Sequence, residues 1–400
     1  MRLRPLFYAL AHPLVYAMVP LKTLAFTTRF TFLRGLLLEF TAFMDVLLVG
    51  LLVQNHALRL TAKAFGGNFI FGRTLMETDH SRAAAALMEP HLRGNLFMGL
   101  PIVGFAPTVF MTNAGPINVS QPARGVLRGH LDAMLQSDAL RHPDLDATGA
   151  RVAHALHDWV QGPRPLTLWA LRGAATRVLA ILLADVDLPQ DQARTITAAY
   201  LRRFAELSAF YYYAPWMLSL LGTHEAMRHE VFLPLKRHGI NALVVDMMLF
   251  AGMFSVGTIV MKCVDFARDY DIDYPALSPT ERQAFVVESL RLFPTVSSVH
   301  RVVENPEPFE LRGRTITARP GMEIAYPFVC IHQNADLFPQ PERLRLDRPG
   351  DQVANILSWS RGPHQCPLRD LSVVVTTLML DALAESHGDL RQLHIANIEV

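Results

Sequence analysis

Only three cysteines occur in 400 residues, Cys263, Cys330 and Cys366, and they stand far apart with no Cys-x-x-Cys pair. That spacing excludes a disulfide framework and the usual structural zinc site, and it suits a reducing, cytoplasmic compartment. An excess of one charge is also missing: 37 Lys and Arg face 36 Asp and Glu, for a net charge of +1. Nucleic acid held by bulk charge is therefore excluded as a partner. Charged residues make up 18% and hydrophobic ones 51%, so the chain can bury a sizeable core and an apolar cavity. Internal repeats and low-complexity linkers are absent.

An uninterrupted membrane span is lacking as well. Residues 5–21, PLFYALAHPLVYAMVPL, carry no charge but contain three prolines and stop at the short edge of a spanning length. The next run, 31-TFLRGLLLEFTAFMDVLLVGLLV-53, is broken by Arg34, Glu39 and Asp45. The apolar region 1–55 is accordingly expected to be buried or to line a channel for lipophilic ligands. A membrane anchor and peripheral membrane contact are the alternatives.

Helical periodicity dominates from about residue 30 to 290, as in 196-ITAAYLRRFAELSAFYYYAPWMLSLLG-222. The apolar run 241-NALVVDMMLFAGMFSVGTIVMKCVDFARDY-270 is too long for a strand, and its charges argue against a bilayer. It predicts a helix through the middle of a globular core. After Arg291 the texture changes to short β-type pieces, VSSVHRVV, FELRGRTIT and MEIAYPFVCI, punctuated by Pro, Gly and Asn. The expected fold is mainly α with a small β-rich subregion (α+β), in a single domain over residues 1–400.

One cysteine sits in a loop, 357-LSWSRGPHQCPLRDLSVVV-375, just before a helical pattern. A cysteine binds metal as thiolate, and a thiolate needs electropositive company. Arg361, His364 and Arg369 flank Cys366, and the N-terminus of the following helix would add partial positive charge. Gly362 lets backbone pass close to a flat ligand. A single soft ligand with no second one nearby suits heme iron better than zinc, with a buried structural cysteine as the other reading. Three further stretches bear on the choice. In 288-ESLR-291, Glu288 and Arg291 share one helix face. Arg343 lies in a Pro-Glu-Arg turn, and Arg301 stands where the sheet begins as a donor for a carboxylate.

In order and spacing these stretches resemble the cytochrome P450 family over roughly residues 115 to 380. The family's heme loop, Phe-x-x-Gly-x-x-x-Cys-x-Gly, stands here as Trp359, Gly362, Cys366 and Leu368. The resemblance implies the family's fold, with heme b between the long central helix and the helix after the cysteine. It makes Cys366 the iron ligand, His364 and Arg301 propionate donors, and Glu288, Arg291 and Arg343 a buried ion-paired triad. Upstream, 121-QPARGVLRGH-130 resembles a helix with a propionate-binding His-x-x-x-Arg pair, Arg124 replacing the His and Arg128 keeping the Arg.

The departures matter equally. Where family monooxygenases carry an acid and an alcohol over the heme, the run here is 251-AGMFS-255: Ser255 offers a hydroxyl, but Phe254 stands in the acid's place. Thr258 is the fallback alcohol. Leu368 replaces a glycine, and the chain ends 34 residues after Cys366 (400 − 366), so a reduced C-terminal hairpin is expected. Phe250, Ala251 and Phe254 are expected to line the pocket with Thr295, Val296 and Ser297, which fits a lipophilic small molecule. With no flavin or iron–sulfur motif, electrons would come from a separate ferredoxin- or reductase-type protein that could meet Arg361 and Arg369. The leading expectation is a monooxygenase or oxidase. The alternatives are a P450-fold isomerase, lyase, dehydratase or peroxide-using enzyme, and a degenerate heme binder without catalysis.

Overall fold

The uncharged N-terminal stretch folds into helix α1 (Arg4–Thr27), which returns through a short turn into α2 (Thr31–Leu51). The structure, a computed structural model, describes residues 4–28, 30–51, 54–89, 96–97, 100–101, 129, 145–161, 166–210, 215–240, 244–245 and 247–396. The chain packs as two units. One comprises Met1–Ile102, Arg291–Arg343 and Arg348–Cys366, the other Val103–Leu290, Leu344–Asp347 and Pro367–Val400.

In the first unit, α1 and α2 are followed by α3 (Gln54–Phe65), a tight hairpin β1 (Phe69–Phe71) and β2 (Thr74–Met76), and α4 (His80–Met88). The later segment adds β3 (Ser298–Val302), β4 (Glu307–Leu311), β5 (Arg314–Ala318) and β6 (Glu323–Pro327). The main sheet runs β1-β2-β6-β3, with β2 parallel to β6 (Leu75 beside Ile324) and β3 antiparallel to β6 (Ser298 beside Pro327). All five residues of β6 are buried, as expected of a strand with a neighbour on each side. β4 and β5 form a separate hairpin whose two-residue loop, Arg312–Gly313, has positive φ at both positions, the turn that matches strand twist. The stretch expected as one strand, MEIAYPFVCI, is strand only as far as Pro327. A short helix, Phe328–Ile331, follows and takes Cys330 out of the sheet, because proline cannot extend the ladder.

An ion pair joins the N-terminal helices to this sheet. Lys22 Nζ donates to Asp45 Oδ1 at 2.6 Å and to the Ile70 carbonyl at 3.1 Å, while Gly72 N donates to Asp45 Oδ2 at 2.6 Å. Both side chains are buried. Burial pushes the Asp45 carboxyl up from its ordinary value, against the pull of Lys22.

The second unit is helical: α5 (Leu145–Val160), α6 (Leu168–Ala184), α7 (Gln190–Phe210), α8 (Phe254–Asp269), all but the last two residues of α9 (Pro279–Leu292), and α10 (Arg369–His387). α6 is apolar almost all round and buried on nearly all sides, the pattern of an interior helix. Its one deeply buried cation, Arg177, is met by Asp158 and Asp187, each at 2.8 Å. α8 is the expected central helix, entered through one π-helical turn, Met247–Met253. It crosses α6 at Gly257, where a Cβ would stand 2.6 Å from Arg172 Cγ. α9 opens on a reciprocal cap: Ser278 N donates to Glu281 Oε2 at 2.8 Å and Glu281 N to Ser278 Oγ at 3.3 Å.

The Lys22–Asp45 pair yields a prediction. Asp45→Asn leaves Lys22 buried without its counter-charge and is expected to lower stability by about 3–5 kcal/mol. Replacing both partners, Lys22→Met with Asp45→Leu, should recover most of that loss in urea unfolding. A single-variant cost below about 1 kcal/mol would mean that the pair behaves as a solvated surface contact.

Candidate functional site

Two positive-φ residues, Ser360 (63°) and Gly362 (60°), fold the cysteine loop back on itself. Ser360 N donates to the Leu357 carbonyl at 2.7 Å, Gln365 N to Gly362 at 3.0 Å, and Cys366 N to the Trp359 carbonyl at 2.8 Å. Trp359 is buried beneath the turn. A Cβ on Gly362 would come within 2.7 Å of the Leu87 carbonyl oxygen and 2.8 Å of Met88 Cα. Both are backbone atoms that cannot yield, so α4's C-terminal end demands glycine here. Arg361 donates to the Ala354 carbonyl and lies 3.4 Å from Asn355 Oδ1, so its guanidinium packs the loop.

The three cysteines form no disulfide. Burial pushes the Cys263 and Cys330 thiols up to about 12, so both stay protonated at neutral pH. Cys366 is half-buried. Arg124 and Arg128 lie outside the described residues, as does the side chain of His364.

Glu288 and Arg291 on α9 are both buried. Arg291 Nη1 donates to the His332 and Pro341 carbonyls at 3.2 and 2.7 Å, and Nη2 to the Arg343 carbonyl at 2.9 Å. Glu288 Oε2 accepts from Arg345 N at 3.2 Å. The sequence-based triad is corrected at Arg343: its side chain is exposed and makes no ion pair or hydrogen bond among the described residues. Its part is played by its carbonyl. The buried arginine of this segment is Arg348, which bonds the Pro339 and Arg343 carbonyls and, like Arg291, stacks on Phe338. Sequence reading missed it because Arg345 and Arg348 follow Arg343 so closely that spacing cannot choose between them. His332 was missed too. Its ring Nδ1 lies 3.0 Å from the Arg291 carbonyl, and its Nε2 accepts from Leu357 N at 2.9 Å, which fixes a neutral ring between α9 and the cysteine loop.

Arg301, on β3, donates through Nε to the Tyr326 hydroxyl at 2.5 Å and through Nη2 to Glu307, leaving Nη1 uncommitted among the described residues. Thr295 is half-buried, Val296 exposed and Ser297 buried, its carbonyl accepting from Phe328 N at 3.0 Å.

In the helical unit, Ala251 is exposed, Phe254 and Ser255 are half-buried, and the side chain of Phe250 lies outside the described residues. Phe254 packs on Phe204 with ring centroids 5.1 Å apart, and the Arg172 guanidinium covers its ring at 4.6 Å. Arg172 Nη2 also donates to Thr258 Oγ1 at 3.3 Å, while its Nε is buried without a partner. Desolvation lowers the Arg172 pKa to about 10, which leaves it charged at neutral pH. The position expected to hold an acid therefore holds a ring capped by a cation. Ser255 makes no hydrogen bond through its hydroxyl among the described residues, whereas that of Thr258 is engaged. Leu368 packs with Leu371 against the core of this unit.

Among the described residues, no three His, Cys, Asp or Glu side chains are grouped to hold a metal ion. Residues 282–383, which span Glu288, Arg291, Arg301 and the whole cysteine loop, match the sequence profile of the Cytochrome P450 family. The fold agrees: a 6-coordinated cytochrome P450 from Thermus thermophilus superposes with a TM-score of 0.59 at 15% identity, covering 82% of this chain and 86% of that one. The chain thus has the cytochrome P450 fold, and its residues 282–383 carry that family's sequence profile. Among curated P450 relatives, a cyclooctat-9-en-7-ol 5-monooxygenase of Streptomyces melanosporofaciens is 34% identical over 125 residues, 30% of this chain and 26% of that protein. A cytochrome P450 4c21 of Blattella germanica is 37% identical over 87 residues, 20% of this chain and 17% of its own. The chain thus spans about a quarter or less of the length of these relatives. P450s are heme-iron proteins, and the half-buried Cys366 on its loop is compatible with that group.

His332 gives the protein a pH dependence. Burial pushes its pKa down to about 3, below the ordinary 6.5 of the unfolded chain. The unfolded state therefore binds the proton first as pH falls. Stability is full above pH about 6.5 and is lost between about 6.5 and about 3, with a slope of up to about 1.4 kcal/mol per pH unit. His332→Leu should be less stable at neutral pH yet lack this slope in denaturation series run across that window.

Proposed function

We propose that this chain is a heme-thiolate monooxygenase or oxidase of a lipophilic small molecule, served with electrons by a separate ferredoxin- or reductase-type protein. One observation carries the reading: Cys366 stands half-buried on a loop pinned by its own amide and by Gly362, the loop that lies within the stretch matching the family's profile. When bound, heme supplies the redox chemistry, and a thiolate ligand favours O–O cleavage. The chain's own side chains do the rest. Ser255, with a hydroxyl committed to no described residue, can hold or pass a proton, and Thr258 is the reserve. Arg301 keeps Nη1 for a carboxylate, a charge-assisted bond that offsets the cost of burying a propionate. Arg124, Arg128 and His364 are the further donors. Ala251 and Phe254 beside Ser255 fit an apolar substrate.

A second reading draws on Phe254 and Arg172. With a cation and a ring where an acid is expected, proton delivery to dioxygen loses a group whose kind typically contributes about 10²–10⁴-fold. This favours isomerisation, cleavage or dehydration that needs no external electrons.

The reduced protein under carbon monoxide is expected to show the thiolate-type Soret band that names the family, and Cys366→Ala to abolish it. A protein that takes up heme with the band unchanged in Cys366→Ala has another ligand, and one that takes up no heme is not a heme enzyme. Turnover of a lipid hydroperoxide without reductant would favour the second reading. Phe254→Asp should place a carboxylate against Arg172, which would hold it ionised. The ratio of product to electrons consumed is then expected to rise only when Arg172→Leu is added. A rise in the single variant would mean that Arg172 does not capture the acid.

A further inference from the structure

The outer face of the α1–α2 hairpin carries almost no charge. From residue 5 to 28 the one ionic side chain is Lys22, and it is buried against Asp45. The exposed residues of α1 include Leu10, Pro13, Tyr16, Ala17, Pro20 and Leu24, an apolar stripe at helical spacing, with His12 stacked on Tyr16 as its polar member. On α2 the outward stripe is Phe32, Leu36, Phe40 and Phe43. Phe30 and Phe32 at the tip are 75% and 85% exposed, and Leu10 and Leu36 are 60% and 58% exposed. Both helices bury their inner faces, through Ala11, Val15, Val19 and Leu48, in one shared core, so the two stripes look out on the same side. Scattered exposed apolar residues are ordinary, whereas a contiguous patch marks a contact surface.

We propose that this face is a one-leaflet seat on a lipid bilayer, with α1 and α2 lying flat in the interface rather than crossing it. Residues Ala9–Thr27 are long and apolar enough to span. Spanning would strip Ala11, Val15 and Val19 from the core and pull Lys22 away from Asp45, leaving its charge without the partner that answers it. Lying flat keeps the ion pair and buries the stripes. Charge selects lipid over a second copy of the chain. The turn reads 27-TTRFTFLR-34, with two arginines and no acid. Arg34 makes no ion pair among the described residues, and the one acid on this face, Glu39, is already paired with Arg73. Two copies meeting here would oppose arginines, whereas anionic headgroups would answer them. The inference uses neither Cys366 nor heme, so it stands or falls apart from the proposed reaction.

Flotation of the full chain with vesicles of phosphatidylcholine, alone or mixed with phosphatidylglycerol, tests it. The wild type should float with both, more with the anionic mixture, and lose that preference as salt rises. Alkaline carbonate should release it. The variant Phe32→Ser/Leu36→Ser/Phe40→Ser, whose three positions are exposed, should bind at least about tenfold more weakly with an unchanged circular dichroism spectrum. Leu220→Ser, at a residue 73% exposed in the other unit, should leave binding unaltered. Resistance to carbonate would overturn the flat seat in favour of a span. A wild type that does not float, or that forms a dimer dissolved by the triple variant without binding vesicles, would overturn the lipid seat.

Discussion

Arg291 is a full guanidinium closed off from solvent, and the first unit is arranged around the need to answer it. Three main-chain carbonyls, from His332, Pro341 and Arg343, take its protons, and the Phe338 ring covers it. An unmet buried charge would cost several kcal/mol, so the irregular stretch from 332 to 343 has little freedom to adopt another path. That stretch leads through Arg348 toward the cysteine loop, and His332 bonds it directly to Leu357. The path of the chain into the cysteine loop is thus tied to a buried cation on α9.

How far the sequence carried depended on whether a feature was local. The helices before 290 and the strands after it were legible because periodicity and Pro/Gly punctuation are properties of neighbours in the chain. Cys366, Gly362, Glu288 and Arg291 were legible because their spacing is rigid within a loop or a helix turn. Arg343 was misjudged for the opposite reason. Three arginines lie within six positions, and burial, which no local pattern records, picks Arg348 and turns Arg343 outward. Arg172 reaches Phe254 and Thr258 across 82 and 86 residues of sequence (254 − 172; 258 − 172), so only the helix crossing at Gly257 reveals it. The π-helical turn before Phe254 leaves no mark in 247-MMLFAGM-253.

In the helical unit Arg172 is answered by a ring and a hydroxyl rather than by a carboxylate of α8. A carboxylate at 254 would have had Arg172 for a partner. The ring that stands there keeps the cation through its π face, an interaction worth on the order of 1–2 kcal/mol when desolvated. The charge balance of the α6–α8 crossing therefore tolerates the loss of the acid, while the hydroxyls are divided between one engaged by Arg172 and one that is not.

The fate of the other two thiols also bears on handling the protein. Desolvation holds Cys263 and Cys330 protonated, which slows alkylating reagents and peroxide there, since both attack thiolates. A macrocycle bound at Cys366 would shield that sulfur from the same reagents.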